Sequence, residues 1–295
     1  MFSLYNGVIP LPGGCMITDS FLTALFINPF LQYALLAALA ASVPGGIVGS
    51  YVVAKRIAFI GGSVSHAVLG GIGMAIYIQY LTGSKAFSPL VGGLIVAVIF
   101  GLLIGTMHLF YKQREDSIIA AIWSIGMAAG VILISIVPGT NAELMDFLFG
   151  NLLWASKGDV MMLASLDLFI IIVSALCHKR FLAVSFDETQ SYLQGISVKF
   201  FYYIMLILIS VTVVVMIQII GAILVIAMLC LPAAIANVFT SSLSKMILLA
   251  ILISVLFAFF GIHLSYSLNW PPGATIALVV SSFYFLSLPL KCKSV

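Results

Sequence analysis

The sequence predicts an all-α, polytopic integral membrane protein with eight or nine transmembrane helices, and three observations carry that prediction. Of 295 residues only 12 are Lys or Arg and 9 are Asp or Glu, a charged fraction of 7%, where soluble domains carry about a quarter. The hydrophobic fraction is 63% and the mean hydropathy is +1.27, which leaves too little polar surface to cover a fold in water. Apolar runs of roughly spanning length recur along the whole chain, a hydrocarbon layer about 30 Å thick being crossed by ~20 helical residues. The connections between them are short, which excludes a soluble catalytic domain. The net charge of +3 comes from basic residues scattered among loops. No basic patch is interleaved with aromatics, so nucleic acid is excluded as a partner.

In chain order the runs are Pro29 to Val53, Ile57 to Leu81, Pro89 to Tyr111, Ile118 to Val137, Val160 to Cys177, Phe200 to Ile217, Ile219 to Phe239, Met246 to Ile262 and Thr275 to Leu288. The two around Gly221 are either separate spans or one broken element, which makes the count nine or eight. Residues 1–28 read as an extracytoplasmic segment, 29–290 as a single transmembrane domain and 291–295 as a cytoplasmic tail. The N-terminal apolar stretch lacks a basic leader. Pro12, within Leu11 to Cys15, stands where a lipoprotein cleavage site needs a small or aliphatic residue, so no cleaved signal is expected. Cys15, Cys177, Cys230 and Cys292 have neither disulfide nor zinc-finger spacing.

Short loops rich in Lys and Arg stay in the cytoplasm. If Lys55 and Arg56 are inside, alternation over nine spans also places Lys112, Arg114, Lys179, Arg180, Lys199, Lys245, Lys291 and Lys293 inside, leaving Lys85 and Lys157 outside. The expected orientation is N-terminus out and C-terminus in. Asp19, Glu143, Asp146 and Asp159 then give the outer face a mild preference for cations, although solvated carboxylates need no function.

Glycine is frequent within the spans, where small residues let helices approach closely in lipid. In the second span Gly62, His66, Gly70 and Gly73 follow at i, i+4, i+8 and i+11, so His66 lies on the small-residue face that meets other helices. An ionisable ring inside a membrane is costly unless partnered. A neutral imidazole suits Zn²⁺, Mn²⁺ or Fe²⁺, and it equally suits a hydrogen bond to a neighbouring backbone carbonyl; both readings stand, with Ser63 and Ser65 as candidate partners. Asp167, near mid-membrane, is the second candidate metal or pathway ligand. His108 and His263 lie near the two surfaces, where snorkelling accounts for them, and Cys230 and Gln218 complete the polar set.

The longest polar stretch expected inside runs from Ala183 to Lys199. Ser185 or Asp187 can cap a short helix with Asp187 and Glu188 in its first turn, and Gly195 can end it. Such a helix is either a docking element for a soluble partner or a solvated connection. Enzyme motifs are absent. There is no Gly-x4-Gly-Lys-Ser/Thr loop for a nucleotide, no His-Glu-x-x-His site and no Gly-x-Ser-x-Gly turn.

Five segments in register resemble the permease subunits of the bacterial ABC importers for zinc, manganese and iron. They are the stretch ending Gly49-Ser-Tyr-Val-Val-Ala-Lys-Arg56, Gly61 to Gly73 with Ser65-His66-Ala67, Phe186-Asp187-Glu188 through Gly195-Ile196, Val225 to Ala236 with Leu231-Pro232-Ala233-Ala234, and Leu264 to Leu278. The resemblance implies the ABC importer permease fold, without a nucleotide site of its own. It also implies pairing with a second permease subunit, alike or different, beneath an extracytoplasmic metal-binding protein. Two cytoplasmic ABC ATPase subunits would bind ATP and dock on a coupling helix of about 185–198, through Phe186, Asp187, Glu188 and Gly195. No cofactor is held permanently; Zn²⁺, Mn²⁺ or Fe²⁺ is the transported substrate, and the location implied is a bacterial inner membrane. Under this resemblance His66 is a transient pathway ligand. Many manganese and zinc members carry Asp four residues before this His, where this chain has Gly62; His66 then either uses another partner, such as Asp167, or the metal passes with less protein coordination. The rival classes are a secondary metal transporter or channel, and an ABC permease for chelated iron or another organic cargo.

Overall fold

A computed structural model describes residues 21–84, 87–111, 115–138 and 147–291. Residues 1–20 with Cys15 and Asp19, Lys85, Lys112, Arg114, Glu143, Asp146, and the tail beyond Lys291 with Cys292 and Lys293 lie outside the described residues. The helices are α1 (Phe21–Ile27), α2 (Pro29–Lys55), α3 (Phe59–Thr82), α4 (Pro89–Tyr111), α5 (Glu115–Ile136), α6 (Lys157–Phe186), α7 (Glu188–Leu193), α8 (Val198–Ile220), α9 (Ala222–Phe239), α10 (Leu243–Leu268) and α11 (Pro272–Lys291). Among the described residues nine of them, all but α1 and α7, are long and apolar enough to cross a membrane.

The alternative of eight spans falls at Gly221. This residue adopts φ +80°, which ends α8, and each flanking helix spans by itself with 23 and 18 residues. A side chain there would also run into the backbone of Phe149 and Gly150, so only glycine fits. Local signals set other helix ends. Asn28 accepts a hydrogen bond from the Phe30 amide at 3.0 Å, with Pro29 at the first helical position of α2. Ser156 and Asp159 form a capping box at the start of α6. That helix runs to Phe186, well past the apolar stretch that announces it, so the short helix expected at about 185–198 occupies only 188–193.

The order of packing follows side-chain size. Helix α2 is the axis of one half, lying against α6, α9 and α10, and its buried face is Ala34, Ala37, Ala38, Ala41, Gly45, Gly46 and Gly49. Helix α3 is the axis of the other half, between α4 and α5. Large apolar side chains such as Ile125, Leu168, Leu252 and Leu256 point outward, as a lipid solvent allows and water would not.

The α3–α5 seam is closed by backbone contact. A Cβ on Gly70 would lie 2.9 Å from the Gly126 carbonyl oxygen, and one on Gly73 would lie 2.9 Å from that of Gly130. Gly62, on the same stripe, faces only the Trp123 ring, 3.6 Å from where its Cβ would be. The substitution Gly70→Ala should therefore force the helices apart and destabilise the bundle by about 1–3 kcal/mol. Gly62→Ala should change stability by less than about 0.5 kcal/mol. Thermal unfolding of the detergent-solubilised variants checks both.

Candidate functional site

His66 sits two turns into α3 and is half-buried. Its ring stacks on Trp123 of α5 with centroids 4.5 Å apart and planes 14° from parallel. Its Nδ1 is buried without a hydrogen-bond partner. The two serines expected beside it are engaged elsewhere: Ser63 Oγ donates to the Ile119 carbonyl at 3.0 Å, and Ser65 Oγ donates to the Gly61 carbonyl at 2.7 Å. The imidazole is thus oriented by an aromatic face, and a nitrogen lone pair or proton is left uncommitted. A buried polar atom in that state is a candidate for a ligand that comes and goes.

Asp167 lies on the buried stripe of α6 formed by Leu163, Leu166, Ile170 and Ser174, and its Oδ1 is likewise buried and unpartnered. Within one chain it does not partner His66. Neither makes a hydrogen bond to the other, and α6 packs mainly on α2 and α8 while α3 packs mainly on α4 and α5, with α8 a lesser neighbour of α3. Among the described residues no three His, Cys, Asp or Glu side chains gather to hold a metal ion.

Lower on the same stripe of α6 a hydrogen-bond chain joins three spans. The Tyr51 hydroxyl of α2 meets Ser174 Oγ and His178 Nδ1, each at 2.9 Å, and His178 Nε2 meets Ser244 Oγ of α10 at 2.9 Å. Cys230 Sγ donates to the Ala58 carbonyl at 3.2 Å. Near the other surface His263 meets the edge of Phe21, the ring centroids 4.8 Å apart.

The end of the bundle with the Tyr51–His178–Ser244 chain also carries α7. Asp187 is its N-cap and accepts from the Gln190 amide at 2.9 Å. Gly195, at φ +78°, turns the chain into α8. Phe186, Tyr192 and Leu193 are 68%, 74% and 80% exposed, whereas Glu188 faces the spans. Its carboxylate accepts from Lys55 at the end of α2 and lies 3.2 Å from His108 Nε2 on α4. Lys55 Nζ also donates to the Val184 carbonyl at 3.3 Å and lies 5.4 Å from the centroid of the Tyr202 ring. His108 stands here as a partner of Glu188, a role that snorkelling does not describe.

Residues 27–291 match the model of the ABC 3 transport family. The chain belongs to this family. Among its relatives, a protein named probable metal transport system membrane protein from Chlamydia trachomatis is 46% identical over 272 residues, covering 92% of each chain. The manganese transport system membrane protein MntC of Listeria monocytogenes is 33% identical over 267 residues, covering 90% of this chain and 92% of its own. In solved form, PsaBC from Streptococcus pneumoniae, in complex with Fab, superposes with a TM-score of 0.78 at 28% identity, covering 90% of this chain and 94% of its own.

Within this ABC 3 member, sequence reasoning passed over Trp123, Tyr51 and His178. Trp123 has no local signal, since its partner is 57 positions away in the chain. Tyr51 and His178 could have been singled out as polar rings on inward-facing helical stripes.

Glu188 also makes the clasp sensitive to acid. The His108 hydrogen bond, with the hydrogen bond and charge of Lys55, holds its carboxyl at about 2 against the upward push of burial. In the unfolded chain it titrates near 4.5. The folded state therefore gives up the proton more readily, and the carboxylate's contribution to stability is complete above pH 4.5 and lost as pH falls toward 2. The stability difference between the natural protein and Glu188→Gln, measured by denaturation in detergent, should shrink as pH falls from 4.5 to 2.

Proposed function

We propose that this chain is the membrane-spanning subunit of an ATP-driven importer of divalent transition metal ions, forming the path through the membrane while separate ATPase subunits hydrolyse ATP. The observation that carries the reading is a likeness running through nearly the whole of both chains to proteins named for metal or manganese transport, in a chain without a nucleotide loop. The working assembly is a pair of permease subunits beneath an extracytoplasmic metal-binding protein, with two ATPases on the cytoplasmic face of a bacterial inner membrane. Nine spans and the distribution of Lys55, Arg56, Lys179, Arg180, Lys199 and Lys245 support an outside N-terminal segment over 1–28, a transmembrane domain over 29–290 and an inside tail over 291–295.

His66 and Asp167 are the transient ligands of the path. Each presents a buried polar atom with no partner, and one imidazole without a surrounding ligand cage matches a path that must release its ion, since a closed tetrahedral site would hold zinc. Trp123 fixes the His66 ring. The region from Phe186 to Gly195 is the coupling element, its docking face supplied by the exposed Phe186, Tyr192 and Leu193, with Asp187 and Gly195 shaping its ends.

Reconstitution with the ATPase and the binding protein, with labelled Mn²⁺ and Zn²⁺ in competition, tests the reading. Uptake of one ion that requires ATP is expected; uptake that continues without ATP would sink it. Loss of an outer-shell partner of a metal ligand already costs ~10-fold or more, so His66→Ala is expected to lower flux at least about tenfold at unchanged expression. Replacing Tyr192 and Leu193 together by Ala should weaken ATPase capture by about tenfold or more, each buried anchor being worth ~1–2 kcal/mol.

A further inference from the structure

Three observations set Glu188 apart from the rest of the docking element. Its carboxylate turns away from the exposed face of Phe186, Tyr192 and Leu193 and meets two different spans, Lys55 on α2 and His108 on α4. The Lys55 side chain is only 10% exposed; it is fixed by the Val184 carbonyl at the end of α6 and by the face of Tyr202. The fully buried Tyr202 ring of α8 also lies against His108, with centroids 5.1 Å apart. One oxygen of a six-residue helix is therefore gripped from two spans over a common aromatic floor.

Both gripping spans connect to the helix that carries His66, α2 through the chain and α4 through packing. Lys55 is the last residue of α2, and one tight turn, with Arg56 at φ +64°, joins it to α3 at Phe59. His108 lies in the last turn of α4, which packs along α3 through Gly71 and Gly92.

We propose that Glu188 is a transmission residue, the pin through which movement of α7 is passed to α2 and α4 and so to α3, which the Arg56 turn joins to α2 and glycine packing joins to α4, rather than a contact with the ATPase. The inference rests on the docking role of α7 proposed above. A charge-assisted pair is suited to such a link, because it is stronger than a neutral hydrogen bond and holds direction as well as distance. The apolar contacts around α7 could slide. The ion pair resists sliding, because separating its partly buried members leaves a charge unmatched.

The test uses the chain assembled with its ATPase and binding protein in proteoliposomes, and reads the ATPase retained, the ATP hydrolysed and the labelled Mn²⁺ or Zn²⁺ imported, whichever the uptake competition selects. Lys55→Met and Glu188→Gln are each expected to retain the ATPase fully and to lower the ions imported per ATP by about 5-fold or more. The double variant should fall no further than the worse single one, because both remove the same contact. His108→Leu should lower the same ratio by less, and it stands in for Lys55→Met should that variant not fold. Import per ATP at the natural level in Lys55→Met, or in His108→Leu where it stands in, would overturn the proposal. So would loss of the ATPase from Glu188→Gln, which would make Glu188 a docking contact. The docking reading fails by a separate result: full ATPase retention when Tyr192 and Leu193 are both replaced by Ala.

Discussion

Lipid provides no hydrophobic force to push one helix against another, so this bundle depends on how closely its backbones can approach. Along α3 the approach reaches backbone contact: Gly70 and Gly73 lie on Gly126 and Gly130 of α5, and Gly71 lies on Gly92 of α4. Contacts of this kind leave no slack, since any added carbon displaces a whole helix. The position of His66 follows from them. The seam that closes at Gly70 and Gly73 opens by two turns at Gly62, and the space between is filled by the stacked rings of His66 and Trp123.

The same absence of water sorts the polar side chains. Many hydroxyls within the spans return to a carbonyl one turn back, as Ser42 does to Ala38, Ser50 to Gly46, Ser65 to Gly61 and Thr212 to Leu208. Toward the end that holds α7, polar groups bond across helices, in the Tyr51–His178–Ser244 chain and the Lys55–Glu188–His108 clasp. Against that background, among the described residues, four buried polar side-chain atoms of the spans have no partner, His66 Nδ1, Asp167 Oδ1, Ser210 Oγ and Ser254 Oγ, and of these only the imidazole and the carboxylate are ionisable. In a medium where an unmet polar group costs kilocalories, this is the cost that the pathway role proposed for His66 and Asp167 would offset.

How much of this was legible in the sequence divides by the range of the interaction. The spans could be read because hydropathy sums over ~20 residues in one stretch, and the stripe of Gly62, His66, Gly70 and Gly73 because helical periodicity is local. The extension of α6 to Phe186 was hidden, since Lys179 and Arg180 end its apolar run while the helix continues. The partners of His66 were misjudged because proximity along the chain favoured Ser63 and Ser65, while the ring that meets it is 57 positions away. Glu188 was legible as an acid in the first turn of a short helix. That its carboxylate turns inward depends on Lys55, 133 positions away, and on His108, 80 positions away.

A transporter needs rigid parts joined by few movable connections, because coupling between two sites can be no larger than the difference in contact free energy between the two states it links. The glycine seams make α3, α4 and α5 such a rigid part, with His66 fixed inside it. Helix α7 is a separate small body, capped by Asp187 at one end and released by Gly195 at the other. If α7 touched the spans only through apolar side chains, a push from outside the membrane could be absorbed by side-chain rearrangement before reaching His66. The Glu188 carboxylate, paired with Lys55 on α2 and hydrogen-bonded to His108 on α4, removes that freedom under the transmission role proposed for it. The stiffness of the seam and the direction of the clasp are then two halves of one requirement: the weak coordination proposed for His66 could be made or broken on cue only if the helix that carries it moves as a unit.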